Sequence, residues 1–222
     1  MAFVVAIDGP AGSGKGTITK LVGKKLNLIN IDTGAMYRCA SYYMIKNNIS
    51  LEQIDKIEEM LKTIEIEQKK EADIDKFYLN GEEVSNKIRE AEVNSIVSQV
   101  SHIPIVREKM VEFQREMGKG ADIIMEGRDI GTNVFPNADV KIYLDATPEE
   151  RANRRLKQNQ EKGIVSNYEE ILQNIKFRDN NDKTSTVAPL KQAEDAIYID
   201  SSNLSIEEVV NKIIKIIEDK RG

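Results

Sequence analysis

One stretch constrains this chain more than any other: Phe3-Val4-Val5-Ala6-Ile7-Asp8-Gly9-Pro10-Ala11-Gly12-Ser13-Gly14-Lys15-Gly16-Thr17. An apolar run of strand length ends at Asp8, a glycine-rich turn follows, and a lysine stands at the mouth of an amphipathic segment with Ile18, Leu21, Val22 and Leu26 on its apolar side. Strand, loop and helix start are the context in which a P-loop pattern acquires a mechanism. Gly9, Gly12 and Gly14 let the backbone take positive φ and turn its N–H groups inward around an anion. The helix beginning near Lys15 aims its positive dipole end at the same place, and Lys15 adds a mobile point charge for terminal phosphates. The last position departs from the pattern: Gly16 stands where Ser or Thr is usual, with Thr17 after it. The hydroxyl on the Mg²⁺ side is therefore less well specified than the phosphate cradle.

The rest of the chain repeats the strand and helix alternation. A helix is expected from about Lys15 to Leu26, a strand over Leu28–Ile31 ending at Asp32, and a helix from Ala35 to about Asn47. Ser50-Leu51-Glu52-Gln53 reads as a capping box opening a further helix. Near Lys62 the pattern changes: Ile64 and Ile66 alternate with glutamates, and Asn80-Gly81 separates two extended segments, a strong hairpin signal. Roughly residues 62–90 read as a small antiparallel sheet inserted in the α/β frame. Helices are expected at about 88–101 and 104–118, with Pro104 in a first turn. Strands return at 121–126, 140–144 and 196–199. Thr147-Pro148-Glu149-Glu150, Ser166-Asn167-Tyr168-Glu169 and Ser205-Ile206-Glu207-Glu208 read as helix caps, the last opening a helix with Ile206, Val209, Val210, Ile213, Ile214 and Ile217 in one stripe. Five short apolar strands alternating with helices predict a parallel sheet covered on both faces, with ligands beyond the carboxyl ends of the strands. Asp8, Asp32, Glu126 and Asp145 all lie at such ends.

With 222 residues the chain is long enough for one large domain carrying a small insertion. A net charge of −5, from 32 basic and 37 acidic residues, argues against nucleic acid as a bulk partner but not against a small anionic substrate. The single cysteine, Cys39, fits a reducing compartment and a buried packing role. The apolar start is short and lacks a basic leader, and no run of about 18 apolar residues is present, so neither a signal peptide nor a membrane span is expected and the cytoplasm is the expected location.

Arginines narrow the chemistry. Arg38 falls one helical turn beyond the strand end at Asp32, and Arg128 just beyond the strand end at Glu126. Both are expected to face the same crevice as the P-loop, and arginines beside a phosphate cradle point to a second phosphate. Arg151, Arg154 and Arg155 sit at i, i+3 and i+4 and share a helical face. That face is either a solvated surface or a mobile lid over a triphosphate. Arg178 and Asp182, at i and i+4, either orient the aspartate toward sugar hydroxyls or form an ordinary helix ion pair. Glu126 either holds a Mg²⁺-bound water or closes its strand, and the lone His102 reads as structural.

Several of these runs carry a family resemblance. Gly9–Thr17, Asp32-Thr33-Gly34-Ala35-Met36-Tyr37-Arg38, Ser98-Gln99-Val100, Val106-Arg107, Glu126-Gly127-Arg128-Asp129-Ile130-Gly131-Thr132, Val134-Phe135-Pro136, Lys141–Ala146 and Val187-Ala188-Pro189-Leu190 resemble the bacterial cytidylate (CMP) kinases over essentially the whole chain. The Gly-Arg-Asp-Ile-Gly-Thr and Asp-Thr-Gly-Ala-Met-Tyr-Arg runs are far more specific than the P-loop. The resemblance implies transfer of the γ-phosphoryl group of ATP to CMP or dCMP, with Mg²⁺. It implies a three-layer P-loop NTPase fold: a five-stranded parallel core sheet, a monophosphate-binding region at about 35–118 that includes the inserted sheet, and a helical lid at about 149–166. By position, Gly9, Pro10, Ala11, Gly12, Ser13, Gly14, Lys15, Gly16 and Thr17 with Arg151 and Arg155 would hold ATP. Lys15, Arg128 and Arg154 would act on the transferring phosphoryl group. Arg38 and Arg128 would bind the CMP phosphate, Ser98, Arg107 and Asp129 would read cytosine, and Asp182, oriented by Arg178, would meet the ribose with Thr33 and Tyr37 nearby. An aspartate suits the exocyclic amine of cytosine, which uracil lacks. Mg²⁺ would be reached by Thr17 and Glu126 through water. The family's further arginine, three residues after the aspartate, is here Ser185; Lys183 or a lid arginine takes its place, or CMP binds more weakly. Rival readings are a kinase for another acceptor such as UMP, and a non-enzymatic nucleotide switch. Neither nucleic acid nor membrane is an expected partner, and a monomer is expected.

Overall fold

A computed structural model describes residues 2–72, 74–161 and 163–222. The insertion expected at about 62–90 and the lid expected at about 149–166 each contain one residue, 73 and 162, outside the described ones. In chain order the elements are β1 (Val4–Asp8), α1 (Lys15–Leu26), β2 (Ile29–Asp32), α2 (Thr33–Lys46), α3 (Ile54–Thr63), β3 (Ile66–Glu71), β4 (Ile74–Leu79), β5 (Glu82–Glu83), α4 (Ala91–Ser101), α5 (Pro104–Met117), β6 (Ile123–Gly127), β7 (Val140–Asp145), α6 (Pro148–Glu161), α7 (Tyr168–Thr184), β8 (Ile197–Asp200) and α8 (Ile206–Arg221). A 3₁₀ turn spans Lys87–Arg89 and a π turn spans Ile130–Val134. The residues group into two compact units, Met1–Asn30 with Gly118–Gly222, and Ile31–Met117.

The first unit is organised on a five-stranded sheet of order β2-β6-β1-β7-β8. β1 is central, with Val5, Ala6 and Ile7 fully buried, because its residues are apolar on both faces. It pairs in parallel with β6 and β7, and the register sets Asp8 opposite both Gly127 and Tyr143. Three strand ends are thereby brought level. The chain leaves β1 for β2 on one side and later returns for β7 on the other, the switch point at which open α/β sheets form a ligand crevice. Ile18 and Val22 of α1, and Val209, Val210, Ile213 and Ile217 of α8, are buried in the same apolar cluster as the strands. Ile206, expected in that stripe, is exposed at the first position of α8. Ser205 and Glu208 make the full reciprocal capping box, at 3.2 Å and 2.8 Å.

The second unit carries the small antiparallel sheet, of order β3-β4-β5. Asn80 and Gly81 both take positive φ, 49° and 81°, as a two-residue hairpin turn of the primed type requires. Asn80 also ties the turn back, accepting Glu65 N–H at 2.7 Å on its side chain. Phe77 and Leu79 of β4 face the unit's core, formed with Met36, Met44, Ile57, Met60 and Met110 from α2, α3 and α5.

Three of the caps differ from the sequence expectation. α3 begins at Ile54 rather than beside Ser50, and only the Gln53 side chain makes its bond, accepting Ser50 N–H at 3.0 Å. α7 is capped by Asn167, whose Oδ1 accepts from Glu169 N and Glu170 N, so the shorter Ser166 is left one position too early. At α6 only half of the box forms: Thr147 Oγ1 accepts Glu150 N–H at 3.2 Å, while the Glu150 carboxylate turns to Arg154. Among the described residues no helix is long and apolar enough to cross a membrane.

Candidate active site

The P-loop joins β1 to α1. Gly9, Gly12 and Gly14 take φ of 150°, 80° and 94°, as the glycine-rich turn requires. At Gly9 nothing else fits, because a Cβ would lie 2.0 Å from the Leu144 carbonyl oxygen of β7. The first turn of α1 contains no acidic residue, so the positive end of the helix dipole is open to an external anion. Lys15 is 4% exposed, and its Nζ donates to Gly9 O and Pro10 O, both at 2.8 Å, and to Ser13 Oγ at 3.4 Å. Burial, reinforced by the Arg128 charge, pushes its pKa down to about 7, against the opposing pull of Glu126 and Asp8. The nearby carboxylates, Glu126, Asp8 and Asp182, do not offset the cost of burying this amine.

Beyond β6 lies the loop that carries Arg128. Arg128 Nε donates to Asp182 Oδ2 of α7 at 2.9 Å, and Nη1 to Gly127 O at 3.4 Å. Asp129 is 5% exposed and accepts from Asn133 Nδ2 at 2.9 Å. The loop continues into the π turn, whose first two amides, Ile130 N and Gly131 N, donate to the two carboxylate oxygens of Asp8 at 2.8 Å and 2.7 Å. Desolvation raises the Asp8 pKa to about 6 despite these two bonds. The sequence marks Asp8 as an acid ending an apolar strand and gives no sign of its partners. Arg178, expected to orient Asp182, is exposed on α7.

The three arginines of α6 have separate fates. Arg151 is 2% exposed. Its Nε donates to Ala146 O at 2.9 Å, its Nη1 to Ala11 O at 3.0 Å, and Nη1 and Nη2 together grip Asp179 of α7 at 2.9 Å and 2.5 Å. It therefore backs the P-loop, with its Cβ 3.6 Å from where a Cβ on Gly12 would stand. Arg154 donates to Glu150 Oε1 at 2.9 Å and to Ser201 O at 2.6 Å, and its Nη1 lies 3.9 Å from the Cβ position of Gly14. Arg155 is exposed. Two of the three charges are met by protein carboxylates, Arg151 by Asp179 and Arg154 by Glu150. Asp179 escapes sequence reasoning because it lies 28 positions from Arg151 on another helix. α7 itself buries no residue, so its aspartates and the Lys176–Glu149 pair at 3.1 Å carry much of its attachment.

Gly16 faces Glu126: a Cβ there would lie 2.8 Å from Glu126 Oε1, the mobile end of that side chain, which would shift to admit it. Thr17 is exposed, one residue on. Among the described residues there is no cluster of three or more His, Cys, Asp or Glu side chains able to hold a metal ion. A divalent cation here would take most of its ligands from phosphate oxygens and water, the usual habit of Mg²⁺.

The second unit groups the remaining candidates. Asp32 caps α2 by accepting Ala35 N–H at 2.9 Å, and this sets Thr33, Tyr37 and Arg38 along the first turns. Thr33 and Tyr37 are buried, and Arg38 Nε donates to Asn94 Oδ1 of α4 at 3.4 Å. The Arg107 guanidinium of α5 lies 5.8 Å from the Tyr37 ring centroid and reaches Ser101 O at 3.5 Å. Ser98 O, one turn back, accepts from Ser101 Oγ at 2.8 Å and is 2.5 Å from His102 Nδ1. Tyr37, Arg107 and the Ser98–His102 turn thus form one polar cluster, with His102 closing α4. Ser185, which ends α7 in the first unit, accepts Ala188 N–H at 3.4 Å.

Comparison with known proteins agrees with this geometry. The chain matches the cytidylate kinase family over residues 5–219. It is 50% identical over 216 residues to a cytidylate kinase of Fusobacterium nucleatum, covering 97% of each chain. A cytidylate kinase of Bacillus subtilis is 45% identical over 216 residues, covering 97% of this chain and 96% of that one. Among solved structures, an uncharacterized protein from Eubacterium ventriosum superposes with a TM-score of 0.55 at 12% identity, covering 97% of this chain and 98% of that one, a likeness of fold alone. Since a phosphate cradle and a second arginine-bearing strand end are what such an enzyme needs, and the match runs nearly end to end, this chain belongs to the cytidylate kinase family.

Proposed function

We propose that this protein transfers the γ-phosphoryl group of ATP to CMP and dCMP in line, giving CDP or dCDP and ADP, in the cytoplasm. The observation that carries this reading is geometric: β1, which ends in the P-loop and its buried Lys15, pairs with β6 so that Asp8 lies level with Gly127, the residue before Arg128. Two cations crowded together without phosphates are costly, and two phosphate groups relieve them.

Lys15 leaves its carbonyl partners for the β- and γ-phosphates of ATP while the amides from Gly9 to Thr17 hold the chain. Arg151 sets the outer wall of that cradle, and Arg154 and Arg155 screen the triphosphate. Arg128 and Arg38 bind the phosphate of CMP. An oxygen of that phosphate is already a nucleophile, so no general base is required. It bonds to the γ-phosphorus as the bond to the β,γ-bridging oxygen breaks, and Lys15, Arg128 and Arg154 neutralise the charge spread over the transferring group. Glu126 and Thr17 would hold a Mg²⁺ ion through water, and that ion would supply further neutralisation of the phosphate charge. Ser98, Arg107 and Asp129 read the cytosine, Asp129 accepting from the exocyclic amine. Asp182 and Arg178, with Thr33 and Tyr37, meet the ribose. Asp182 exchanges its bond to Arg128 for the sugar once a phosphate occupies that arginine. Cys39, free and buried with its thiol pushed up to about 12 by desolvation, is inert packing suited to a reducing compartment.

The test is turnover with ATP and a panel of CMP, dCMP and UMP. CMP and dCMP are expected to exceed UMP. A preference for UMP would remove the role given to Asp129, and hydrolysis of ATP with no acceptor would remove the reading as a whole.

A further inference from the structure

Asp8 is a buried charge that the reaction as written does not use. It is the last residue of the central strand, and the next residue, Gly9, opens the P-loop. Its two oxygens each accept a different main-chain amide, Ile130 N at 2.8 Å and Gly131 N at 2.7 Å. These are the leading amides of the π turn at Ile130–Val134, which lacks a side-chain cap of its own from Asp129. Free amides at the start of a helical turn need an acceptor, and Asp8 supplies one from 122 positions away. A Cβ at Gly131 would lie 3.4 Å from Asp8 Oδ2, an ordinary contact, so the approach of Asp8 does not depend on glycine there.

We infer that Asp8 is a positioning residue for phosphoryl transfer: its carboxylate, divided between the Ile130 and Gly131 amides, fixes the loop bearing Arg128 and Asp129 against the strand that bears the P-loop. The inference rests on the role given above to Arg128. One side chain ties the donor loop, through the chain, to the arginine loop, through two hydrogen bonds. Stability alone does not ask for a carboxylate here. Burial makes the charge costly, raising its pKa to about 6, with the Asp129 charge opposing and the Lys15 charge favouring ionisation. A neutral residue avoids that cost, but no neutral side chain of this size presents two acceptors to two N–H groups; Asn turns an NH₂ toward one of them. A displacement of the order of 1 Å at a reacting group costs on the order of 10²-fold in rate.

The experiment is a double-mutant cycle on the intact chain with Asp8→Asn, Arg128→Ala and the pair, reading kcat/KM for CMP at saturating ATP, KM for ATP and the unfolding midpoint. Asp8→Asn is expected to lower kcat/KM by about 10–100-fold while KM for ATP changes by less than about 3-fold and the unfolding midpoint is kept. In the Arg128→Ala background the same change is expected to cost clearly less than in wild type, because Arg128, the reacting-end group it positions, is gone and only Asp129 remains on that loop. An equal loss in both backgrounds, or no loss in either, overturns the inference. Full activity of Arg128→Ala alone overturns the role of Arg128, a failure separate from that of Asp8. Should Asp8→Asn not fold, Asp8→Ser, which removes the charge and keeps one acceptor, takes its place in the cycle. Failure of both to fold would make Asp8 a residue of the fold and end the inference.

Discussion

The two units are packed from different materials. The first unit's main apolar cluster is Val, Ile and Leu, with Val5, Ile7, Ile18, Val22, Leu28, Ile124, Ile142, Leu144 and Ile199 in it; Met125 of β6 is buried outside that cluster. The second unit's core holds Met36, Met44, Met60 and Met110, with Tyr37 and Phe77, and Met117 packs against it. β-Branched side chains are stiff at χ1 and keep one packing arrangement. Methionine has three rotatable bonds and fills irregular gaps. The contrast parallels the proposed roles. The first unit carries the P-loop amides, Lys15 and Arg128, and electrostatic catalysis depends on donors that do not reorganise. The second carries Thr33, Tyr37, Ser98 and Arg107, part of the proposed contacts to base and sugar, and a softer core can follow a ligand.

The largest expected effect tests whether the stiff unit spends its charges on chemistry rather than on folding. Lys15→Ala or Arg128→Ala is expected to lower kcat/KM by about 10²-fold or more, with no large fall in unfolding midpoint, since both residues compensate substrate charge. A large fall in the midpoint would break the division between core and site.

Next come the cores themselves. Ile124→Ala, at a fully buried position of the first unit, is expected to cost about 2–5 kcal/mol by denaturant unfolding. Met44→Leu, equally buried in the second unit, is expected to cost less than about 1.5 kcal/mol, as a volume-conserving change among flexible neighbours. Equal costs would erase the contrast.

A pH series isolates one buried charge of the stiff unit. Lys15 has a folded pKa of about 7, below its ordinary 10.5. Between those values the unfolded chain binds the proton and the folded chain does not, so this contribution to stability is complete above about 10.5 and is lost as pH falls through about 7. Wild type is therefore expected to gain stability relative to Lys15→Met as pH rises from 7 to 10, measured by denaturant midpoints. ATP, which favours the charged amine, is expected to bind with proton uptake near pH 7.5, seen as a dependence of the calorimetric heat on buffer ionisation enthalpy. Absence of uptake would mean that Lys15 is already charged in the empty site.

The smallest effect lies at the end of α7, which neither core grips. Ser185→Arg is expected to lower KM for CMP by about 10-fold, the low end of what one charge-assisted hydrogen bond contributes. An unchanged or raised KM would show that another cation already fills that place.

Much of the architecture was readable in advance because its causes are local. α1 runs from Lys15 to Leu26 as the apolar spacing requires, and Pro104 opens α5 as its fixed φ favours. Asn80-Gly81 makes its hairpin because no other pair takes two positive φ values so cheaply. The caps at Ser50 and Ser166 were misread where several short polar residues compete within one turn: the helix start is decided by which of them reaches the free amides, and that depends on how the preceding loop enters. Arg151, Arg154 and Arg155 were rightly expected on one helix, but periodicity says only which side chains are neighbours. Burial of Arg151 came from α7 and the P-loop closing on it, and exposure of Arg155 from nothing covering it.

By itself, then, the sequence determined the glycine turn, the lysine beside it, the alternation of strands and helices and the inserted hairpin, all consequences of backbone freedom and short-range periodicity. Tertiary structure alone decided which acid serves which partner. Asp179 meets Arg151 across 28 positions, Asp182 meets Arg128 across 54, and Asp8 meets Ile130 across 122. The reason is physical: a buried charge needs a specific partner at hydrogen-bond distance, and that distance exists only once the strand order has brought remote segments side by side.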